Sequence, residues 1–233
     1  SSHSRGFLLY GDNMTIHFHG SPIWGDAHAP TDMLIKALYR DGGAFVSFAR
    51  PAQMKKIAMF PCDIRLDNGA FSDWMKALKK GTPVDWSKRR AKFYDFVGKW
   101  FSRIEWFLIP DVIEGTEAEN DKQIELVPDW LKSKAVPVWH TDESIDRLLR
   151  LSGKFEWVAI GCCGPHRHIR SKWWEQRMDE VFTELYINRN LKVKIHGLRM
   201  LDVRVLGMYP FASADSTNVA VNVPKTEKRF PEI

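Results

Sequence analysis

KVKIHGLRMLDVRVLGMYPFASADST, residues 192–217, reads as strand, helix and strand in direct succession. The first pattern, KVKIHGL (192–198), is rich in apolar and β-branched residues and closes around His196 and Gly197. A helix-like stretch follows at 199–207, and the second strand pattern, YPFASAD (209–215), ends on Asp215. Two strands joined through a helix are expected to lie parallel, linked by a right-handed crossover.

The same alternation extends back through the chain. Short strand patterns stand at MTIHFHG (14–20), GAFVSFA (43–49), DIRLDNG (63–69), EWFLIPD (105–111), AVPVWH (135–140) and EWVAIGC (156–162). Helix-like stretches lie between them at 30–39, 86–103, 116–133, 143–151 and 171–186, while the crossover near 50–60 is too short for a clear helix. Thr116 with Glu119 fits a capping box, and Thr141 with Ser144 can cap the helix that follows them. Eight strands alternating with helices predict an α/β fold, a single (β/α)8 TIM barrel. No GxGxxG turn follows the first strand to favour an open doubly wound sheet. The 233 residues suit one such barrel, which commonly takes about 200–250. The predicted organisation is one domain over 1–233, its core at about 14–218, with a flexible N-terminal start and a charged, poorly ordered C-terminal tail.

Hydrophobic residues at 44% can fill that core, and ten Trp with fourteen Phe exceed the share of an average domain. Some of these rings are therefore expected outside the core, as stacking platforms. A net charge of +5 favours an anionic partner such as nucleic acid. Cys62, Cys162 and Cys163 form no paired framework, which points to a reducing compartment. No apolar run of about 18 residues and no signal-peptide pattern is present, so a soluble, cytoplasmic protein without a membrane partner is expected.

Acids close three of the strand patterns: Asp67 in LDNGAF (66–71), Asp111 in FLIPDV (107–112) and Asp215 in FASADST (211–217). Gly161, in VAIGCCG (158–164), closes another. Strand C-termini of a (β/α)8 barrel open onto one face, where catalytic groups collect. Carboxylates there can attack carbon, carry a proton or accept from a substrate's N–H edge. A strand-end Asp equally suits capping of the helix after it, so each acid also has a structural role open.

Taken in order, these segments resemble the tRNA-guanine transglycosylase superfamily, above all its short DNA-modifying branch, the deazapurine DNA-guanine transglycosylases of phages and bacterial genomic islands. LDNGAF is similar to the family's Asp-Ser-Gly-Gly/Ala-Phe motif, FLIPDV to its base-reading segment, PVWH (137–140) to its Pro-Val-x-Gln segment, and VAIGCCG to its glycine-bearing strand. The C-terminal unit resembles the family's strand ending in His-Gly, here His196 and Gly197, and its final Ser-x-Asp-Ser, here Ser213, Asp215 and Ser216. The ordered matches run from 63 to 218, about two thirds of the chain.

The resemblance implies a queuosine-related glycosyltransferase that exchanges guanine in DNA for a 7-deazaguanine of the preQ0 type, through a covalent aspartyl-glycosyl intermediate, with neither cofactor nor metal. Asp215 would be the nucleophile at the sugar C1′ and Asp67 the general acid/base; an adjacent carboxylate suits the oxocarbenium-like transition state. Asp111 would accept from the N1–H and 2-amino edge of the base, and the backbone N–H of Cys162, after Gly161, would donate to its O6. Asn68, His140, Phe71, His196 and Gly197 complete the implied base-binding set, and Arg167, Arg170 and Lys172 would meet phosphates. Reaching C1′ in duplex DNA requires extrusion of the nucleotide, with Phe71 or Trp139 placed to hold the base. The implied partners are DNA and a 7-deazaguanine base, and the involvement of partner proteins or a homodimer is left open. Two positions depart from the family: Asn68 stands where Ser is usual and His140 where Gln is usual, which bears on the bases accepted. No cysteine follows Asp215, so the zinc module of the tRNA enzymes is not expected and DNA is favoured over tRNA.

Two other readings fit parts of the sequence. His17, His19, His140, His166, His168 and Asp215 fall at or after strand ends in an order like that of metal-dependent amidohydrolase barrels, although no Lys closes the fourth strand. A non-catalytic nucleic-acid-binding barrel would instead use Lys79, Lys80, Lys88, Arg89 and Arg90, together with Arg167, Arg170 and Lys172. The first of these basic groups is equally a solvated helix face. Cys162 and Cys163 lack an activating partner in sequence and are expected to pack beside the base pocket.

Overall fold

The computed structural model describes residues 15–20, 42–113, 115–163 and 168–217. Strands β1 (Ile16–Gly20), β2 (Gly43–Ser47), β3 (Asp63–Asp67), β4 (Trp106–Leu108), β5 (Ala135–Val136), β6 (Val138–His140), β7 (Trp157–Gly161), β8 (Lys194–Gly197) and β9 (Ser213–Ser216) belong to one sheet. Their order is β5-β4-β3-β2-β1-β9-β8-β7-β6, and the ladders β1–β2, β2–β3, β3–β4, β4–β5, β7–β8 and β8–β9 are parallel. β5 and β6, at the two ends of that order, are one stretch of chain interrupted by Pro137, whose nitrogen carries no hydrogen for the ladder. Counted as one strand, residues 135–140 supply both ends, and eight strands with their helices make the expected (β/α)8 barrel. The chain divides into two compact units, one built on Phe18–Val138 and the other on Trp139–Asp215.

In the first unit, strand alternation places Ile64 and Leu66 of β3 on one face, both fully buried with Ala44 and Val46 of β2 and Phe107 of β4. Helices α1 (Gln53–Ile57) and, further on, Trp86–Trp100 pack there through Met54, Ile57, Phe93 and Val97. Each such side chain removed from water contributes roughly 1.5–3 kcal/mol. Arg65 points the other way, its guanidinium carbon 3.9 Å from the ring centre of Phe18 and 4.8 Å from that of Trp106. Burial lowers the Arg65 pKa to about 10, against the opposing pull of Asp63 and Glu105.

The sequence reading left 70–85 without a helix, yet α2 (Ala70–Lys80) follows β3 directly, and Trp86–Trp100 is α3. Gly69 and Gly81, both in the left-handed region, bracket α2. Thr116 and Glu119 form the capping box of α4 (Glu117–Glu125), with Thr116 N–H donating to Glu119 Oε2 at 2.8 Å. The helix expected over 116–133 stops early because Pro128 disfavours helical backbone before it; a 3-10 turn, Asp129–Lys134, follows. The helix expected at 30–39 lies outside the described residues.

In the second unit, Ser144 caps α5 (Ile145–Ser152), its Oγ accepting from Arg147 N–H at 3.2 Å. Thr141 is no cap: it is buried and its Oγ1 accepts from Cys163 N–H at 3.1 Å. Helix α6 (Lys172–Phe182) runs into a π-helical turn, Thr183–Asn188. Phe182 stacks on Tyr209 at 5.5 Å and meets Phe211 edge-on at 5.0 Å. β9 begins at Ser213 rather than 209, because Pro210 has no N–H and the Phe211 N–H is given locally to Tyr209 O at 2.9 Å. Helix α7 (Val203–Met208) starts at Asp202, whose side chain accepts from Arg204 N–H, so the segment before it is a turn rather than helix.

Candidate functional site

The parallel register of β8 and β9 sets His196 opposite Ser213 and Gly197 opposite Ala214. Ser213 and Asp215, two residues apart on a strand, share a face with His196, and all three are buried. His196 Nδ1 lies 2.8 Å from Ser213 Oγ, and its Nε2 lies 3.6 Å from Asp215 Oδ1. The backbone N–H of Arg199 donates to the same Oδ1 at 2.8 Å. Arg199 adopts φ 57° here, a left-handed conformation that costs a non-glycine residue roughly 1–2 kcal/mol. Gly197 is required by packing, since a Cβ there would sit 2.9 Å from Met200 Cβ and 3.1 Å from the Phe211 ring.

A second group forms where β3 and β4 end. Asp67 Oδ1 accepts from Gly69 N–H at 3.1 Å. Asn68 is buried; its Nδ2 donates at 2.9 Å both to Ile109 O and to Asp111 Oδ1, and its Oδ1 accepts from Ala70 N–H at 2.7 Å. Both amide protons of Asn68 are thus committed, and the side chain ties β3 to the end of β4 and orients Asp111. Gly69 has φ 70°, and a Cβ on it would lie 2.7 Å from Ala49 N. Arg89 is buried beneath this turn, donating to Asn68 O and, at 2.6 Å, to Asp73 Oδ2, which removes it from any solvated phosphate face. Phe71, on the first turn of α2, is exposed and lies 5.7 Å from Trp74, ring centre to ring centre.

A third group sits at the ends of β6 and β7. Glu143 Oε2 accepts from His140 N–H at 2.9 Å and from Arg147 Nη1 at 2.5 Å, while its Oε1 lies 3.6 Å from His140 Nδ1. Burial works to raise the Glu143 carboxyl, but hydrogen bonds from His140 and the charge of Arg147 hold it below its ordinary value. Arg177 braces the segment by donating to Thr141 O at 2.9 Å and to Glu143 O. The His140 ring covers Gly161, where a Cβ would come within 3.1 Å of His140 Cδ2.

Trp139 points away from His140 along the same strand. It is fully buried, with Nε1 donating to Ser144 O at 2.9 Å, so it is core and not the stacking platform expected from sequence. Burial pushes the Cys162 thiol up to about 11, and burial with the Asp142 contact pushes Cys163 to about 12. Both stay protonated at neutral pH, which leaves neither poised as a nucleophile.

Arg170 has φ 64° and lies 3.5 Å from Asp202, and Lys172 opens α6 beside the exposed Trp173. Arg167 and His166 lie outside the described residues. Among the described residues no three His, Cys, Asp or Glu side chains converge in an arrangement that holds a metal ion. Among them, too, no helix is long and apolar enough to cross a membrane.

Sequence reasoning passed over Glu143, Arg147 and Arg199. The first two are spaced four apart across a helix start, a pairing signal that does not reveal burial. Arg199 acts through its main chain, which its side-chain identity does not announce.

No protein-family model matches the chain, and no curated protein matches it. Among solved structures, a mutant tryptophan synthase alpha-subunit from the hyperthermophile Pyrococcus furiosus is similar over 92% of this chain and 91% of its own, with 12% identity and a TM-score of 0.52. At that identity the likeness shows the fold alone, and it agrees with the strand order: the chain is a TIM barrel.

Proposed function

We propose that this barrel is a base-exchange transglycosylase that replaces guanine in DNA with a 7-deazaguanine through Asp215. The observation that carries the reading is the setting of Asp215 at the end of the last strand, one oxygen fixed by Arg199 N–H and faced by the buried His196. A carboxylate held in this way needs no proton removed before it attacks, and its charge stabilises the developing oxocarbenium ion. In the first half-reaction a bond forms between an Asp215 oxygen and C1′ as the bond from C1′ to the base nitrogen breaks. The electron pair of that bond leaves on guanine, and Asp67 supplies the proton that neutralises it. In the second, Asp67 takes a proton from the incoming deazapurine, whose ring nitrogen attacks C1′ and releases the Asp215 carboxylate.

Asp111, oriented by Asn68, accepts from the N1–H and amino edge of the base, and the backbone N–H of Cys162 donates to O6. A base without those donors leaves a carboxylate unpaired, which is the strong form of discrimination. The ordered resemblance of the segments from 63 to 218 supports the same assignment. The test is incubation of DNA with a labelled 7-deazaguanine base and either wild type or Asp215→Asn. Label in DNA and a denaturation-resistant protein–DNA adduct are expected with wild type alone. Equal incorporation by the variant overturns the nucleophile, and free guanine with abasic sites but no label overturns base exchange.

A further inference from the structure

We infer that His196 and Ser213 are positioning residues that fix Asp215 Oδ1, so that Oδ2 is the oxygen that bonds C1′ and Oδ1 becomes the ester carbonyl. The inference rests on the reading of Asp215 as nucleophile. A hydrogen on Nδ1, given to Ser213 Oγ at 2.8 Å, would turn the Nε2 lone pair toward Asp215 Oδ1 at 3.6 Å. Two negative ends facing one another in a buried, weakly screened place repel. The Ser213 hydroxyl rotates and donates as readily as it accepts. When it donates to Nδ1, the ring hydrogen moves to Nε2 and faces the carboxylate, which replaces the repulsion with attraction.

Asp215 Oδ1 then meets two donors, the Arg199 N–H at 2.8 Å and the Nε2–H at 3.6 Å. The second is an electrostatic contact longer than a hydrogen bond, of the kind that tightens when charge shifts during reaction. Oδ1 is the poorer nucleophile, because its lone pairs are engaged, and Oδ2 supplies the electron pair. The donors matter most when the ester breaks. The bond from C1′ to Oδ2 then cleaves, its electron pair returns to the carboxylate, and charge reappearing on Oδ1 is received by groups already in place. Loss of the Ser213–His196 pair therefore slows release of Asp215 more than its attack, and the covalent intermediate accumulates.

The experiment compares wild type, Ser213→Ala and Ser213→Thr, measuring kcat, KM and the steady-state fraction of protein–DNA adduct. Ser213→Ala is expected to lower kcat about 10-fold to 100-fold, the usual weight of a group that orients another, with KM little changed and the adduct fraction raised. Ser213→Thr, which keeps the hydroxyl, should restore both. A Ser213→Ala enzyme with wild-type kcat and adduct level overturns the inference. A readout independent of turnover is the side-chain 15N spectrum of His196 in the wild-type protein, expected to place the hydrogen on Nε2. A hydrogen on Nδ1 overturns the positioning role whatever the activity. A wild-type enzyme with the Nε2–H form but no adduct and no base exchange overturns the transglycosylase reading.

Discussion

Asp215 and Asp67 are the same residue type at the ends of two strands of one barrel, yet they are held in opposite ways. Asp215 is buried and anchored from a distance in sequence, by the Arg199 N–H and by an imidazole on the neighbouring strand. Asp67 is half-buried and takes the N–H of Gly69, two residues along, in the turn that starts α2. Long-range anchoring fixes a carboxylate in one orientation among prearranged donors, which under the proposed reaction suits attack on carbon. A local turn contact at a half-buried position leaves the group in reach of solvent protons, which suits acid/base exchange. Both acids close strands of the barrel, and under the proposed reaction the way each is tethered fits the role assigned to it.

The largest expected effect breaks the first half of this contrast. Asp215→Asn should lower kcat/KM for base exchange on the order of 10⁴-fold or more, with the circular dichroism spectrum unchanged; a loss below tenfold would refute the role. Asp67→Asn should cost about 10²- to 10⁴-fold, and here the chemistry of the leaving base sharpens the comparison. DNA carrying 7-methylguanine, which departs without needing a proton, should restore first-step cleavage to Asp67→Asn and not to Asp215→Asn.

The buried Glu143 extends the contrast to a carboxylate engaged by the His140 N–H and by Arg147. Arg147→Ala strands its charge and should destabilise the protein by about 3–5 kcal/mol, read from denaturant unfolding. Because its folded-state pKa is depressed, Glu143 contributes stability that is fully present above its unfolded value of about 4.3. That contribution is lost as pH falls through the lower folded value, so unfolding curves for wild type and Glu143→Gln should converge in acid and separate above about pH 5. A constant gap across that range would sink this account. The smallest effect is expected at Asn68, where Asn68→Ala should cost about 1–3 kcal/mol and weaken discrimination between guanine and hypoxanthine in base-binding assays. Unchanged discrimination would show that Asp111 holds its orientation without the amide.

The eight strands were legible because each ends in a punctuating residue, and the structure starts or stops them within a few positions of the expected limits. Helix α2 escaped although its signal was present: Ala70, Phe71, Trp74, Ala77 and Leu78 recur at helical spacing between two glycines. Trp139 was misplaced for a simpler reason. A strand sends neighbours to opposite faces, so Trp139, beside a His140 whose ring lies over Gly161, turns the other way into the core. The bridge from Asn68 to Asp111 spans 43 residues, and pairings of that kind arise only when the strands are laid side by side. The same holds for Arg199, whose contribution is a backbone N–H and so is independent of side-chain identity.

Gly161 carries a consequence for how this protein can change. Its backbone does not occupy the left-handed region among the described residues, so conformation alone would accept alanine there. What resists it is the His140 ring: it lies 3.1 Å from where the Cβ would sit, is itself near Glu143, and must give by a few tenths of an ångström. The two positions are therefore coupled: a side chain added at 161 asks the ring at 140 to shift, and a slimmer residue at 140 removes that demand.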